Sequence, residues 1–376
     1  MAVLKEHPAK AVPFTKKLGF RQTLNQRVEA FFKETGRKPR DVPEMYVKSA
    51  VLYGLYILSF IAVLAVGSTG SAWVLPLYVW WGLVVTGLGF NTMHDAIHGG
   101  YSNHHMVNRL VGLTIELLGA SGFVWKQKHN VWHHTYTNVA GLDEDLETQG
   151  AFRFSPHDAW KPIYRWQHLY SPIVYGLTGF SFLIRDFRVF FTGHSDVFHQ
   201  YPKFNRTETA IFFGGKILFL LITVVVPLLV MPWWLVLAGW VLYLFTISLT
   251  LAAVFQLAHV MEPATFPEPT GNPLHFENEW AVHEVETTVD FAPNNRFLNW
   301  YCGGLNFQIE HHLFPLVCHV HYPALSKIVK QTCDEYGVRY NVYPTWRSAL
   351  ASHLRTLREF GRKPSAQAAP VPKVAR

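Results

Sequence analysis

Charge is scarce in this 376-residue chain: Asp, Glu, Lys and Arg together make up 16%, against 49% hydrophobic residues. That ratio leaves too little polar surface for the two-domain soluble protein that the length alone would suggest. Cysteine is scarcer still, at Cys302, Cys318 and Cys333, with no C-x-x-C pair. A disulfide framework is not implied, and thiolate zinc and iron–sulfur sites are disfavoured. The first 45 residues are polar and basic without an apolar core, so no secretory signal peptide is expected and the first span would serve for insertion. Internal repeats are missing, and the only low-complexity segment is the Ala/Pro/Lys tail at 364–376, expected to be disordered.

The most informative absence is local. Residues 49–93 contain no Asp, Glu, Lys or Arg, and neither do residues 217–261; each stretch is 45 residues long. At about 1.5 Å per helical residue, each is roughly twice the ~30 Å hydrocarbon core of a bilayer. Each is therefore expected to be a helical hairpin, turning at "VGSTGS" (66–71) and near "VMPWW" (230–234). The expected fold is an all-α integral membrane protein with four spans, at about 49–68, 72–93, 211–231 and 233–258, in two hairpins under a helical cytosolic cap. A basic arm (1–46) precedes the membrane domain (47–323), and a helical segment (324–363) follows it. Two shorter, largely apolar runs, 110–124 and 170–184, read as helices in the membrane interface.

Orientation follows from Lys and Arg, which cytosolic segments retain. Neither hairpin turn has one, whereas residues 327–376 carry ten Lys/Arg against three Asp/Glu. Both termini and the middle segment are therefore expected in the cytosol. The net charge of +7 needs no nucleic-acid partner, since a basic rim against anionic headgroups accounts for it.

What is present beside the apolar runs is histidine. "HDAIH" continues the second span and places His94 and His98 at i and i+4, on one helical face. "HNVWHH" repeats the spacing with His129 and His133 and adds His134, and "QIEHH" supplies Gln308, His311 and His312. Ionisable residues beside hydrocarbon point to function, and imidazole suits Zn, Cu, Fe and Ni. Seven clustered histidines exceed the protein ligands of one catalytic ion, so two metals are expected. No Glu-x-x-His motif is present, so the donors are nearly all nitrogen. A structural or pH-sensing histidine cluster is the alternative.

In order, in spacing and in position relative to the two apolar stretches, these three motifs resemble the histidine boxes of membrane fatty-acid desaturases and hydroxylases, over residues 49–323. The resemblance implies a cytosolic non-haem di-iron centre that uses O2 to remove two hydrogens from a CoA- or lipid-linked acyl chain. It implies His94, His98, His129, His133, His134, His311 and His312 as iron ligands. Gln308 stands where other branches have histidine, which marks the front-end branch and makes it a candidate ligand as well. His259, closing the fourth span, is a further implied ligand, and His283 is another candidate; His104, His105, His319 and His321 have no counterpart in the boxes. Asp95, Asn138, Asp145 and Glu310 are candidates to orient the imidazoles. Where many front-end enzymes carry H-P-G-G, this chain has His7–Pro8–Ala9, so no fused cytochrome b5 domain is expected. Electrons would then come from a separate ferredoxin or cytochrome b5, and a bacterial inner membrane is expected rather than the endoplasmic reticulum. A di-iron lipid or alkane hydroxylase and a histidine-rich metal-binding or transport protein are the rival readings.

Overall fold

The computed structural model describes residues 12–195 and 200–364. The tail expected from residue 364 onward and the His7–Pro8–Ala9 sequence lie, apart from Pro364, outside the described residues. The chain is mostly helical, and the only sheet among the described residues is a two-residue parallel ladder between Asp290–Phe291 and Val342–Tyr343.

After a basic helix, α1 (Phe20–Thr35), come α2 (Pro43–Gly67) and α3 (Val74–His98). Then follow α4 (His105–Leu118), α5 (Gly122–His133), α6 (Gln167–Thr192), α7 (Arg206–Leu228) and α8 (Trp233–His259). The remainder is α9 (Trp280–Thr287), α10 (Arg296–Tyr301), α11 (Gln308–Leu313), α12 (Tyr322–Tyr336) and α13 (Trp346–Phe360). Four of these, α2, α3, α7 and α8, are long and apolar enough to cross a membrane, and the chain is a membrane protein. Proline sets two of their starts: Pro43 occupies the first turn of α2, and Pro232 directly precedes α8. The helices begin earlier than absence of charge implies, because α2 takes in Glu44 and Lys48, and α7 takes in Arg206 and Glu208.

Of the four, α3 is the inner helix: 67% of its most apolar window is buried, against 28% for α2 and for α7. It packs between α2 and α8, and α8 packs in turn on α6. Small residues set these approaches, Gly82 lying against the Tyr243 carbonyl and Gly239 against the Tyr78 ring. Trp81, wholly buried, packs tilted against Tyr243, ring centroids 4.6 Å apart, in the centre of this core.

The interface helix expected over 110–124 is not continuous. The chain bends by 109° between α4 and α5, with Gly119 in the left-handed region (φ 79°). An apolar run conceals such a break, since Gly119 is the residue that makes the turn and Ala120–Ser121 merely bridge it. The run at 170–184 is part of a longer helix, α6, whose Leu169, Ile173, Leu177, Ile184, Phe187 and Phe191 form one exposed apolar stripe.

A tight loop after α10 seats the functional end of α3. Gly303 has φ 58°, and a Cβ there would lie 2.3 Å from the Phe90 carbonyl oxygen. Asn91 ties the same turn down, its amide donating to the Gly87 and Tyr301 carbonyls at 2.7 and 2.8 Å. Gly303→Ala is therefore expected to cost the ~1–2 kcal/mol of a left-handed alanine and further strain against backbone. A thermal midpoint several degrees lower in detergent-purified protein is the expected outcome; an unchanged midpoint would show that the loop does not brace α3.

Candidate metal centre

Two π-helical turns, not plain α-helix, present the first two histidine motifs. Gly89–Met93 directly precedes His94, and Gln127–His133 contains His129 and His133. A π turn inserts an extra residue per hydrogen-bonded ring and rotates the face that follows. The bond from the His134 N–H to the His129 carbonyl, 3.1 Å, spans five residues and aims both rings inward.

The ends of α3 and α8, the π turn of α5 and the whole of α11 bring the imidazoles together. Donor atoms of His94, His98, His129 and His311 lie within 4.8 Å of one another, as do those of His133, His259 and His312. His134, His311 and His312 form a third such group, so His134 stands between the first two. The Gln308 amide lies 3.2 Å from His259 Nε2 and 3.4 Å from His312 Nε2. Half a turn about its last bond exchanges amide nitrogen for carbonyl oxygen, so a donor oxygen fits the same space.

The residues suit a bound cation. The Nε2 atoms of His94, His98, His133 and His311, and Nδ1 of His134 and His259, are buried without a hydrogen-bond partner. Buried lone pairs left unmatched cost about 1–3 kcal/mol each, and metal ions satisfy them. Burial, followed by the neighbouring imidazoles, holds His134, His311 and His312 well below the ordinary histidine range. These rings stay neutral at pH 7, the state in which imidazole binds metal.

Carboxylates fix the rings from behind. His312 Nδ1 lies 2.7 Å from Glu284 Oε2, which also accepts from the Thr137 hydroxyl at 2.8 Å. His133 Nδ1 lies 3.0 Å from Asp143, whose carboxylate also takes the Asn138 N–H. Asn138, in the left-handed region at φ 60°, donates its side-chain amide to the carbonyls of His259, Thr265 and Thr287. Burial pushes the Glu284 carboxyl well up, and the Thr137 hydroxyl is the main contact that opposes this by favouring the ionised form.

Sequence proximity was a poor guide to these partners. Asp95 turns to His319, accepting from its backbone N–H and lying 2.9 Å from its Nδ1, and stands 3.9 Å from His94 Nδ1. Glu310 faces away, toward Tyr340 at 3.1 Å. Asp145 pairs with Lys128 and lies 3.4 Å from His133 Nδ1. Asp143 and Glu284, which do orient rings, went unrecognised; Glu284 is 28 residues from His312, and only its place beside His283 hinted at a role. His283 itself is not brought into the nitrogen groups. Its ring packs on Phe14 and Phe276, at 5.1 and 5.7 Å, because α9 turns that face toward the N-terminal segment. His319, Asp95 and Cys318 form another close group, but the Lys48 ammonium, 3.0 Å from His319 Nε2, already supplies the cation there. His104 and His105 are exposed, and His321 bonds the Lys38 carbonyl.

From His94, His129, His133 and His259 a cavity of about 390 Å³ extends between α3, α6 and α8, past Phe90, Phe182, Leu251 and Phe255. A buried nitrogen cluster at the end of an apolar cavity, on helices that reach into a membrane, defines a metal-dependent membrane enzyme acting on hydrocarbon. A family model for fatty acid desaturase matches residues 71–344. The chain is 38% identical over 357 residues to the sn-1 linoleoyl-lipid 6-desaturase of Synechocystis sp., covering 94% of this chain and 99% of that protein. The enzyme of the same description from Arthrospira platensis is also 38% identical, over 95% of this chain and 96% of its own length. An acyl-lipid (8-3)-desaturase of Physcomitrium patens is 36% identical over 91% of this chain and 72% of that protein. The chain belongs to the fatty acid desaturase family. It is an oxidoreductase that desaturates fatty acyl chains.

Loss of an orienting partner typically weakens metal binding about 10–100-fold. Glu284→Gln is thus expected to lose metal in a chelator series at correspondingly lower chelator concentration, whereas His283→Asn keeps wild-type retention. Elemental analysis of the purified variants checks both.

Proposed function

We propose that the chain is an acyl-lipid desaturase of the front-end type, with two irons held by His94, His98, His129, His133, His134, His259, His311 and His312. The observation that carries this reading is the pair of nitrogen groups joined by His134 at the inner end of an apolar cavity. Bound iron supplies the O2 activation that removes hydrogens from an unactivated methylene, chemistry outside the reach of side chains. The protein's part is to hold the acyl chain along Phe90, Leu251 and Phe255 and to keep water out. Glu284 and Asp143 keep Nδ1 of His312 and His133 engaged, which leaves each Nε2 for metal. The names of the relatives support a lipid-linked acyl substrate over acyl-CoA.

Electrons would come from a separate carrier such as ferredoxin or cytochrome b5. The Lys/Arg distribution supports termini and metal centre in the cytosol, with 66–71 and 230–234 on the far side, and hence two hairpins under a cytosolic cap. The Synechocystis and Arthrospira relatives support a bacterial membrane. Single cysteines placed at Thr69 and at Arg355 are expected to label from opposite faces of sealed vesicles; labelling from the same face overturns this topology.

The chemistry is tested with Gln308, His312 and iron content. In a host lacking polyunsaturated lipids, fed a defined monoenoic or dienoic precursor, the wild-type chain is expected to yield one additional double bond without oxygen incorporation. Purified protein should contain about two Fe per chain, a ratio set by the number of imidazoles. His312→Ala is expected to abolish turnover and lose iron. Gln308→His should keep both irons and part of the activity, because amide oxygen is a weaker donor than imidazole, and Gln308→Ala should fall between. A stoichiometric single zinc, or full activity in His312→Ala, overturns the di-iron reading.

A further inference from the structure

Away from the histidines, where the start of α6 meets the end of α13, lies a groove of about 460 Å³. Arg165, Arg358, Arg362 and Lys363 surround it, together with Trp160 and Trp166, and no carboxylate lines it. Among the described residues none of these four cations has a carboxylate within ion-pair distance. Nor are they spent on the carbonyls that end α13. Leu357 O accepts from the Gln167 amide at 2.7 Å, Phe360 O from Arg153 at 2.8 Å, and Gly361 O from the Trp160 indole at 2.9 Å. Among the described residues four positive charges are thus gathered with no carboxylate paired to them, an arrangement that favours an external anion. His168 feels it: burial first, then Arg358, holds its imidazole below the ordinary range.

The surroundings identify the anion. Ile163, Trp166, Leu169 and Ile173 are all more than half exposed and begin the apolar stripe that runs the length of α6. In a membrane protein that stripe meets acyl chains, and tryptophans with long cations at its end sit at headgroup level. The groove also has room for a whole headgroup rather than a bare phosphate. We propose that this groove binds the phosphate headgroup of an anionic phospholipid, anchoring the N-terminal end of α6 at the membrane surface. The site is separate from the desaturase reading and stands whether or not that reading does. An acidic electron carrier is the competing occupant, but the continuity with the lipid-facing stripe favours lipid.

Native mass spectrometry of the intact, detergent-purified chain, titrated with phosphatidylglycerol and with phosphatidylcholine, tests the assignment. Wild-type protein is expected to retain phosphatidylglycerol over phosphatidylcholine by roughly tenfold or more, as expected for several basic residues acting on one anion. The Arg358→Gln/Arg362→Gln/Lys363→Gln triple variant should fall to parity, and Arg165→Gln alone should be intermediate. These side chains, apart from their contact with the groove, face solvent, and a monodisperse elution profile confirms that the variants fold. Equal retention of the two lipids by wild type overturns the proposal, as does an undiminished preference in the triple variant. Displacement of phosphatidylglycerol by an equal concentration of inorganic phosphate would show an anion site without lipid selectivity and also overturns it. So does a triple variant that keeps its lipid preference but no longer binds an acidic electron carrier.

Discussion

Imidazole lone pairs that converge in a buried space repel one another and forgo water, and the site described here gathers more of them than any internal proton donor relieves. His134 Nε2 and His129 Nε2 are 3.2 Å apart, a separation that two acceptors hold only with a proton or a cation between them. The surrounding architecture reads as the means of enforcing that arrangement. The π turns of α3 and α5 aim the rings, the Gly303 loop clamps the first of those turns, and Asn138 gathers three carbonyls from separate segments behind His259. Buried carboxylates complete the enforcement, since an Nδ1 engaged by Glu284 or Asp143 fixes both the tautomer and the rotation of its ring.

How much of this was legible in the sequence depended on whether the signal was local. The four apolar helices were visible because a 45-residue stretch without charge has few structural explanations. Their ends were less so, because Lys48 is accommodated beside His319 and Arg206 starts α7 at its polar tip, so charge and helix boundary do not coincide. Spacing within each histidine motif pointed to a shared face, and the rings do converge. The route differs: in α5 the His129–His134 pair is aligned by an i→i+5 bond that no pattern of four would suggest.

Orienting carboxylates were the illegible part, for a physical reason. A partner that braces a ring from behind has to approach from another element, since neighbours on the same short helix point elsewhere. Glu310, next to His311, is carried round to Tyr340 and Asp290, while Glu284 arrives from α9. Asp95 follows the same rule, adjacent to His94 yet committed to His319. Glycine was the other hidden element. The left-handed Gly119 turns an apparently continuous apolar run by 109°, and it is this bend that brings α5 back over the ends of α3 and α8.

The position of α6 connects these features to a hydrophobic substrate. Its Gly176 and Gly179 let it lie close against Phe245 and Ser248 of α8, and its Val174, Thr178 and Phe182 line the cavity. Its opposite side carries the exposed apolar stripe. One helix therefore has the cavity on one face and an exposed apolar stripe on the other, and it forms the wall between them. An acyl chain that passes round such a wall exchanges one apolar environment for another and crosses no aqueous gap, so the hydrophobic effect neither opposes nor drives its entry. Selection among acyl chains then falls to shape and to the polar groups beside the histidines, where Lys128 and Asp145 stand next to the His133 ring.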